Sequence, residues 1–297
     1  MTFDLDEARD FVSTHARLLD RRRFDVVTGG SDRDGILAAL EAYRNDDGGY
    51  GWGLESDLRS PESQPAAALH AFEAMADAAP ATSPRADELC DWLVKVTRPD
   101  GGVPFSLPVR YRAGCAPWWL DSDPGESALQ ITSVVAAYAH DVARHDRAVA
   151  EHEWLRRATS YCLQAIRELD AEPHAYVVLF SIRLLDRLAA SDDAAVRLLE
   201  GLRAHIPRDG ILPVQGGTEN EVMRPLDFAP DPGTAARGLF EPGVVEQDLA
   251  RLAGEQQPDG GWPYEAATFS PASALEWRGY VTVRAVSVLQ RNGVAAR

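Results

Sequence analysis

The sequence predicts an all-α protein, an α/α toroid in which about five or six helical hairpins form two concentric layers. Two observations indicate this fold class. A short turn containing Asp and Gly recurs at intervals of about 50 residues, and the segments between its copies have helical rather than alternating apolar spacing. A fixed interval of this size indicates one helical hairpin used repeatedly, with each copy burying a face against its neighbours.

The repeated turn places glycines directly after an aspartate. Its copies are Asp47-Gly48-Gly49, Asp100-Gly101-Gly102, Asp259-Gly260-Gly261 and a degraded form, Asp209-Gly210-Ile211. In chain order the aspartates are 53, 109 and 50 residues apart, and the middle gap is close to two repeats. Paired glycines permit a left-handed backbone and close packing, and the aspartate can accept bonds from local amides. We therefore expect a structural turn, with Trp52, Phe105 or Trp262 packing over the preceding helix end.

The helices on the two sides of each turn differ in their apolar pattern. Those before a turn are amphipathic and are predicted to form the outer layer, at residues 36–43, 89–96, 198–206 and 244–252. Those after a turn carry few charges and are predicted to form the inner layer, at residues 65–79, 128–139, 175–185 and 280–289. Segment 175–185 is rich in β-branched residues, but its place in the repeat and its lack of Gly and Pro favour a helix.

The chain shows no linker that would separate two domains. We expect a single toroid domain over residues 1–297, with a helix over residues 5–19 helping to close the ring. The Pro-rich stretch 225–242 is predicted to be an elaborated loop inside the ring.

Composition indicates which classes of partner the protein is expected to bind and in which cellular compartment it is expected. The formal charge of −16 disfavours nucleic acid, because such a surface repels a phosphate backbone. The three cysteines form no paired metal spacing, and their odd number suits a reducing compartment. The acidic N-terminus lacks the apolar core of a signal peptide, and no window is apolar enough for a membrane span. We expect a cytoplasmic protein that binds a small apolar molecule and uses no cofactor. The sequence does not decide its oligomeric state.

The last copy of the turn carries a family resemblance. The segment Gln257-Pro258-Asp259-Gly260-Gly261-Trp262 resembles the Gln-Trp repeat of the terpenoid cyclase and protein prenyltransferase superfamily. The resemblance implies an α/α barrel and, for the cyclase branch, general-acid cyclisation or isomerisation of an isoprenoid-like substrate. The prenyltransferase branch holds zinc through an Asp-x-Cys pair and a distant His. This chain has no Asp-x-Cys, so we expect no metal site.

The candidate site residues lie in the loops between each turn and the following inner helix. In class II terpenoid cyclases, which this chain resembles, an Asp-x-Asp-Asp motif opens an inner helix, and its central Asp protonates an alkene or epoxide. Asp121-x-Asp123 matches that place, although Pro124 stands where the next Asp is expected and the next acid is Glu126. The predicted catalytic residues are Asp121, Asp123, Glu126 and Glu55. The predicted substrate-binding residues are Trp52, Asp57, Trp118, Trp119, His174, Tyr264 and Trp277.

Three alternatives stay open at this point. Asp121 and Asp123 are also suited to cap a helix that has Pro124 in its first turn. A glycan-processing toroid would use two loop carboxylates on opposite sides of a cavity, such as Glu55 and Glu265. A ligand- or protein-binding toroid would need no catalytic residue at all.

Overall fold

A computed structural model describes residues 1–297 and confirms the all-α fold class. Fourteen α-helices account for most of the ordered chain. They are α1 (Leu5–His15), α2 (Leu18–Val27), α3 (Arg33–Leu40), α4 (Pro65–Asp77), α5 (Arg85–Val96), α6 (Pro117–Leu120), α7 (Leu129–Ala143), α8 (Arg147–Glu151), α9 (Glu153–Arg167), α10 (Ala175–Leu188), α11 (Asp193–Leu202), α12 (Pro225–Phe228), α13 (Pro242–Gly254) and α14 (Pro271–Arg291).

Four strands of two residues each complete the secondary structure. The strands β1 (Thr2–Phe3) and β4 (Ala295–Ala296) pair in parallel, so the first and last residues of the chain lie side by side. The strands β2 (Leu212–Pro213) and β3 (Val222–Met223) form an antiparallel pair. No helix combines the length and the apolarity that spanning a bilayer requires.

The eight helices predicted around the turns are confirmed, with shifts of a few residues at most of their ends; α14 begins nine residues before the predicted start at residue 280. The β-branched segment 175–185 is the helix α10, as its place in the repeat indicated. The Pro-rich stretch 225–242 is not loop throughout, because it contains α12 and a 3-10 turn at Ala236–Leu239.

The single N-terminal helix predicted over residues 5–19 is wrong. The chain forms α1 and α2, separated by an extended step at Ala16 and Arg17. Gly279 of α14 lies against this step, since a Cβ on it would be 2.7 Å from the Ala16 Cβ. The break allows both α1 and α2 to pack on α14, which one continuous helix would not achieve.

The chain packs as two compact units. The central unit contains Asp32–Asp170, and the terminal unit combines Met1–Ser31 with Ala171–Arg297. In the central unit α4 packs against α7, while α3, α5 and α9 cover their other sides. Eleven of the thirteen residues of α4 are buried, which agrees with its apolar composition. In the terminal unit α14 contacts α1, α2 and α13, and α10 contacts α11 and α12.

All four copies of the turn have the same local geometry. The first glycine is left-handed in each, with φ of +94° at Gly48, +101° at Gly101, +76° at Gly210 and +88° at Gly260. The aspartate of each copy accepts a hydrogen bond from the backbone amide two residues later, at 2.9 to 3.2 Å. This arrangement reverses the chain in few residues, and only glycine adopts it without strain.

Three of the turns pack on the next amphipathic helix in the same way. A Cβ added to the first glycine would press on a backbone carbonyl, that of Glu88 in α5, Arg157 in α9 or Glu7 in α1. A Cβ added to the second glycine would lie 2.6 to 2.7 Å from an aromatic ring four residues further along the same helix. These rings belong to Trp92, Tyr161 and Phe11. The helix α1 therefore receives the last turn as α5 and α9 receive earlier ones.

Reciprocal hydrogen bonds strengthen the contact of the last turn with the N-terminus. The Gln256 side chain accepts from the Asp4 amide at 2.7 Å and donates to the Asp4 carbonyl at 2.7 Å. The Trp262 indole donates to the Leu252 carbonyl at 2.7 Å, so this aromatic residue packs over the end of α13 as predicted.

We expect Gly260→Ala to destabilise the protein by about 3 kcal/mol. The substitution forces a side chain into a left-handed conformation and against the Glu7 carbonyl. Urea unfolding monitored by circular dichroism measures the change. Gly254→Ala is the matched control, because this exposed position at the end of α13 has free space around it and gains helix propensity. Equal midpoints for the two variants would contradict the packing described for the turn.

Candidate acid–base site

A buried cluster of titratable side chains lies inside the central unit. Glu55 comes from the loop after the first turn, His70 and Glu73 from α4, and Tyr138 from α7. His70 and Glu73 are three residues apart on a helix, so their side chains point to the same side. Because α4 packs against α7, this side brings Tyr138 to the same place.

The imidazole of His70 lies between two carboxylates. Its Nε2 is 3.1 Å from Glu55 Oε2, and its Nδ1 is 3.4 Å from Glu73 Oε2. Tyr138 donates its hydroxyl proton to Glu73 Oε1 at 3.2 Å. The four side chains form a hydrogen-bonded chain in the order Tyr138, Glu73, His70 and Glu55.

The loop that carries Glu55 is braced on both sides. The Asp57 amide donates to Glu55 Oε1 at 3.1 Å, and the Asp57 carbonyl accepts from the Ala116 amide at 2.8 Å. The Gln64 side chain makes two hydrogen bonds to the backbone of Leu107, at 2.8 and 3.1 Å. These bonds hold the Glu55 carboxylate at the imidazole, although no helix carries it.

Burial and hydrogen bonding change the pKa of His70 in opposite directions. Burial disfavours the imidazolium, but the hydrogen bonds and charges of Glu55 and Glu73 outweigh it and raise the pKa of His70. Glu55, His70 and Glu73 are each only 5 to 6 % exposed, so their attraction is weakly screened by solvent. The arrangement favours the protonated form of an imidazole that two carboxylates hold in place.

The predicted acid pair lies elsewhere, on the surface of the central unit. Asp121, Asp123 and Glu126 are all exposed. Asp123 accepts from the Gly125 amide at 2.7 Å, while Arg112 approaches Asp121 to 3.7 Å. Neither aspartate caps a following helix, because α7 begins only at Leu129.

The aromatic residues of the central unit that were predicted to bind substrate do not line one common surface. Trp52 is 58 % exposed, and its indole donates to Asn45 Oδ1 at 2.7 Å. Trp118 is also exposed, whereas Trp119 is buried and stacks on Phe105 with ring centroids 4.6 Å apart. Trp52 has a φ of +56°, which is uncommon for a residue other than glycine.

The remaining candidates lie in the terminal unit. His174 caps α10, accepting from the Tyr176 amide at 3.3 Å through Nδ1, and its Nε2 is 3.0 Å from the Gln215 carbonyl oxygen. Tyr264 stacks on Trp277 with centroids 4.9 Å apart. Glu265 forms a two-pronged ion pair with Arg224, at 2.7 and 3.2 Å.

A second, half-buried polar network joins three helices of the terminal unit. Arg284 of α14 donates to Asp227 Oδ1 of α12 at 2.7 Å, and Arg183 of α10 donates to the Asp227 carbonyl at 3.0 Å. Burial alone would raise the pKa of Asp227, but the charge of Arg284 and the hydrogen bonds lower it. The contacts of this network are with the short helix itself, so it fixes α12 between its neighbours.

The sequence analysis identified Glu55 but missed its partners, His70, Glu73 and Tyr138. One signal was present, since His70 and Glu73 are the only ionisable side chains of α4 before its last residue. Two ionisable groups three residues apart in an otherwise apolar helix indicate that both are buried, paired and functional. No group of His, Cys, Asp and Glu side chains has an arrangement suited to a metal ion.

Comparison with known proteins adds no family to these observations. The chain matches no protein-family model and no curated protein sequence.

We expect His70 to contribute stability that falls as pH rises. Its pKa is higher in the folded than in the unfolded chain, so the contribution is complete below the unfolded pKa of about 6.5. It is lost as pH rises through the folded pKa. Near pH 6, His70→Gln should cost about 3 kcal/mol, because two buried carboxylates lose their partner.

Urea unfolding of both proteins between pH 6 and 9 tests this dependence. The difference in unfolding free energy should shrink towards pH 9, whereas the exposed control His145→Gln should differ little from the wild type throughout. A difference for His70→Gln that is constant with pH would show that the imidazole is not held as the charged form.

Proposed function

We propose that this chain is a small-molecule enzyme that transfers protons at the Glu55–His70–Glu73 cluster. One observation supports the proposal above all others. A buried imidazole has a carboxylate on each ring nitrogen, inside a helix that is otherwise almost entirely apolar. Histidine with a shifted pKa is a common group for general acid–base chemistry near neutral pH.

The energetics of burial favour a functional over a purely structural role. Removing three titratable groups from water has a large desolvation cost, and well-packed apolar side chains often stabilise a core as well or better. The braced loop that presents Glu55 to the imidazole contains no helix and is longer than a connection between α3 and α4 requires. Such loops frequently carry binding and catalytic groups.

Other reactive groups of the chain are less suited to catalysis. Burial raises the pKa of all three thiols, Cys90, Cys115 and Cys162, which disfavours the thiolate that a nucleophile needs. Asp121 and Asp123 are exposed to water, whereas a carboxylic acid that protonates an apolar substrate requires a site from which water is excluded.

We also propose that the hairpins close into an α/α toroid, as the Gln-Trp resemblance implies. The packing of three of the four turns on the next amphipathic helix supports this arrangement, since the last turn uses α1 as its partner. In a toroid the inner helices α4 and α7 would present His70, Glu73 and Tyr138 towards a central cavity. The same resemblance favours an isoprenoid-like substrate and a cyclisation or isomerisation of the isomerase or lyase class.

Proton transfer from solvent tests the proposed function directly. The protein is incubated in D₂O with acyclic isoprenoid alcohols, aldehydes and epoxides, and the products are analysed by mass spectrometry for deuterium. We expect incorporation by the wild type and a loss of about 100-fold or more in Glu55→Gln and His70→Gln. The exposed control Glu246→Gln should behave as the wild type, and circular dichroism checks that each variant is folded.

The variant Asp123→Asn separates this proposal from the cyclase-like acid pair. If the buried cluster is responsible, Asp123→Asn keeps the wild-type rate. Loss of deuterium incorporation in Asp123→Asn, with full activity in Glu55→Gln and His70→Gln, would overturn the proposal and return the acid role to the exposed pair.

A further inference from the structure

We infer that Tyr138 is the member of the buried cluster that meets the substrate, and that the reacting atom of the substrate is a carbonyl or epoxide oxygen. The inference rests on the proposed function and names its substrate class. It follows from the order of the hydrogen-bonded chain, from the burial of its members and from the acidity of their side chains.

The position of Tyr138 distinguishes it from the other three residues. Glu55, His70 and Glu73 are 5 to 6 % exposed, whereas Tyr138 is half-buried and is the most exposed of the four residues. Both ring nitrogens of His70 are occupied by carboxylates, so the imidazole has no nitrogen directed to a ligand. A proton held by His70 therefore reaches a substrate through Glu73 and the phenol.

The transfer is balanced along this chain. When the substrate binds, the Tyr138 hydroxyl turns its hydrogen from Glu73 Oε1 to the substrate oxygen. The O–H bond of Tyr138 then breaks as this proton forms a new O–H bond with a lone pair of the substrate oxygen. Glu73 takes a proton from Nδ1 of the imidazolium on Oε2, and its carboxyl group turns to pass that proton to the phenolate oxygen. The imidazolium loses one positive charge, the substrate oxygen gains one proton, and Glu73 and Tyr138 return to their starting states.

The acidity of these groups limits what they can protonate. A phenol has an ordinary pKa near 10 and an imidazolium one near 6.5, roughly, and both are far too weak to protonate a carbon–carbon double bond. Both are well matched to an oxygen that gains negative charge as the C–O bond of an epoxide breaks or as a carbonyl accepts an electron pair from an alkene of the same substrate. An alkene hydrocarbon is therefore not a substrate of this site.

The test uses Tyr138→Phe, which removes one hydroxyl and keeps the ring. The probe is geranial labelled with ¹³C at the carbonyl carbon. We expect its carbonyl resonance to move downfield on binding to the wild type, because a donated hydrogen bond polarises the C=O bond, and to stay unshifted with Tyr138→Phe. Conversion of oxygen-bearing substrates should fall by about 100-fold in Tyr138→Phe, and the hydrocarbon myrcene should not react with either protein.

Tyr176→Phe is the matched control, because Tyr176 also donates to a glutamate, Glu221 Oε1, at 2.9 Å and is likewise half-buried. It should leave both readouts at wild-type values. Full activity of Tyr138→Phe, or deuteration of myrcene by the wild type, would overturn the inference. If Glu55→Gln and His70→Gln still abolish turnover in that case, the proposed function stands; if they too are fully active, both fail.

Discussion

The close contact between a Gly-Gly turn and the next amphipathic helix is the interaction on which the structure depends. The first glycine lies on a backbone carbonyl, and the second lies under an aromatic ring one helical turn further on. No other residue leaves room for both contacts, and only glycine takes the left-handed conformation without strain. Each of the three Gly-Gly turns therefore determines both the chain reversal and the position of the amphipathic helix on which it packs, which explains why one short motif organises so much of the fold.

The candidate site depends on this scaffold indirectly. The first turn leads into the braced loop that carries Glu55, and the buried helix after that loop carries His70 and Glu73. Since α4 is buried along almost its whole length, the two titratable groups on it are only 6 % exposed and depend on hydrogen bonds to each other, to Glu55 and to Tyr138. The two carboxylates that this packing holds against the imidazole outweigh the effect of its burial and raise the pKa of His70.

Periodicity made the helices predictable, because the spacing of apolar residues reflects which faces are buried. It did not reveal the break at Ala16, where the close approach of Gly279 determines the path of the chain. The candidate site was predicted only in part. Residue type and spacing singled out both Glu55 and Asp123, but only tertiary packing buries the first and exposes the second. Tyr138 joins Glu73 across 65 residues of sequence, a contact that no local pattern encodes.

The parallel pairing of β1 with β4, and the bonds between Asp4 and Gln256, have a consequence for how the protein forms during synthesis. The terminal unit contains both ends of the given sequence. Its first helix packs on a turn that is synthesised much later, since Asp4 and its partner Gln256 are 252 residues apart. The central unit is contiguous and leaves the ribosome whole long before that. Its hairpins can pack first, whereas α1 and α2 remain without their partner α14 until the segment that follows the central unit has been synthesised.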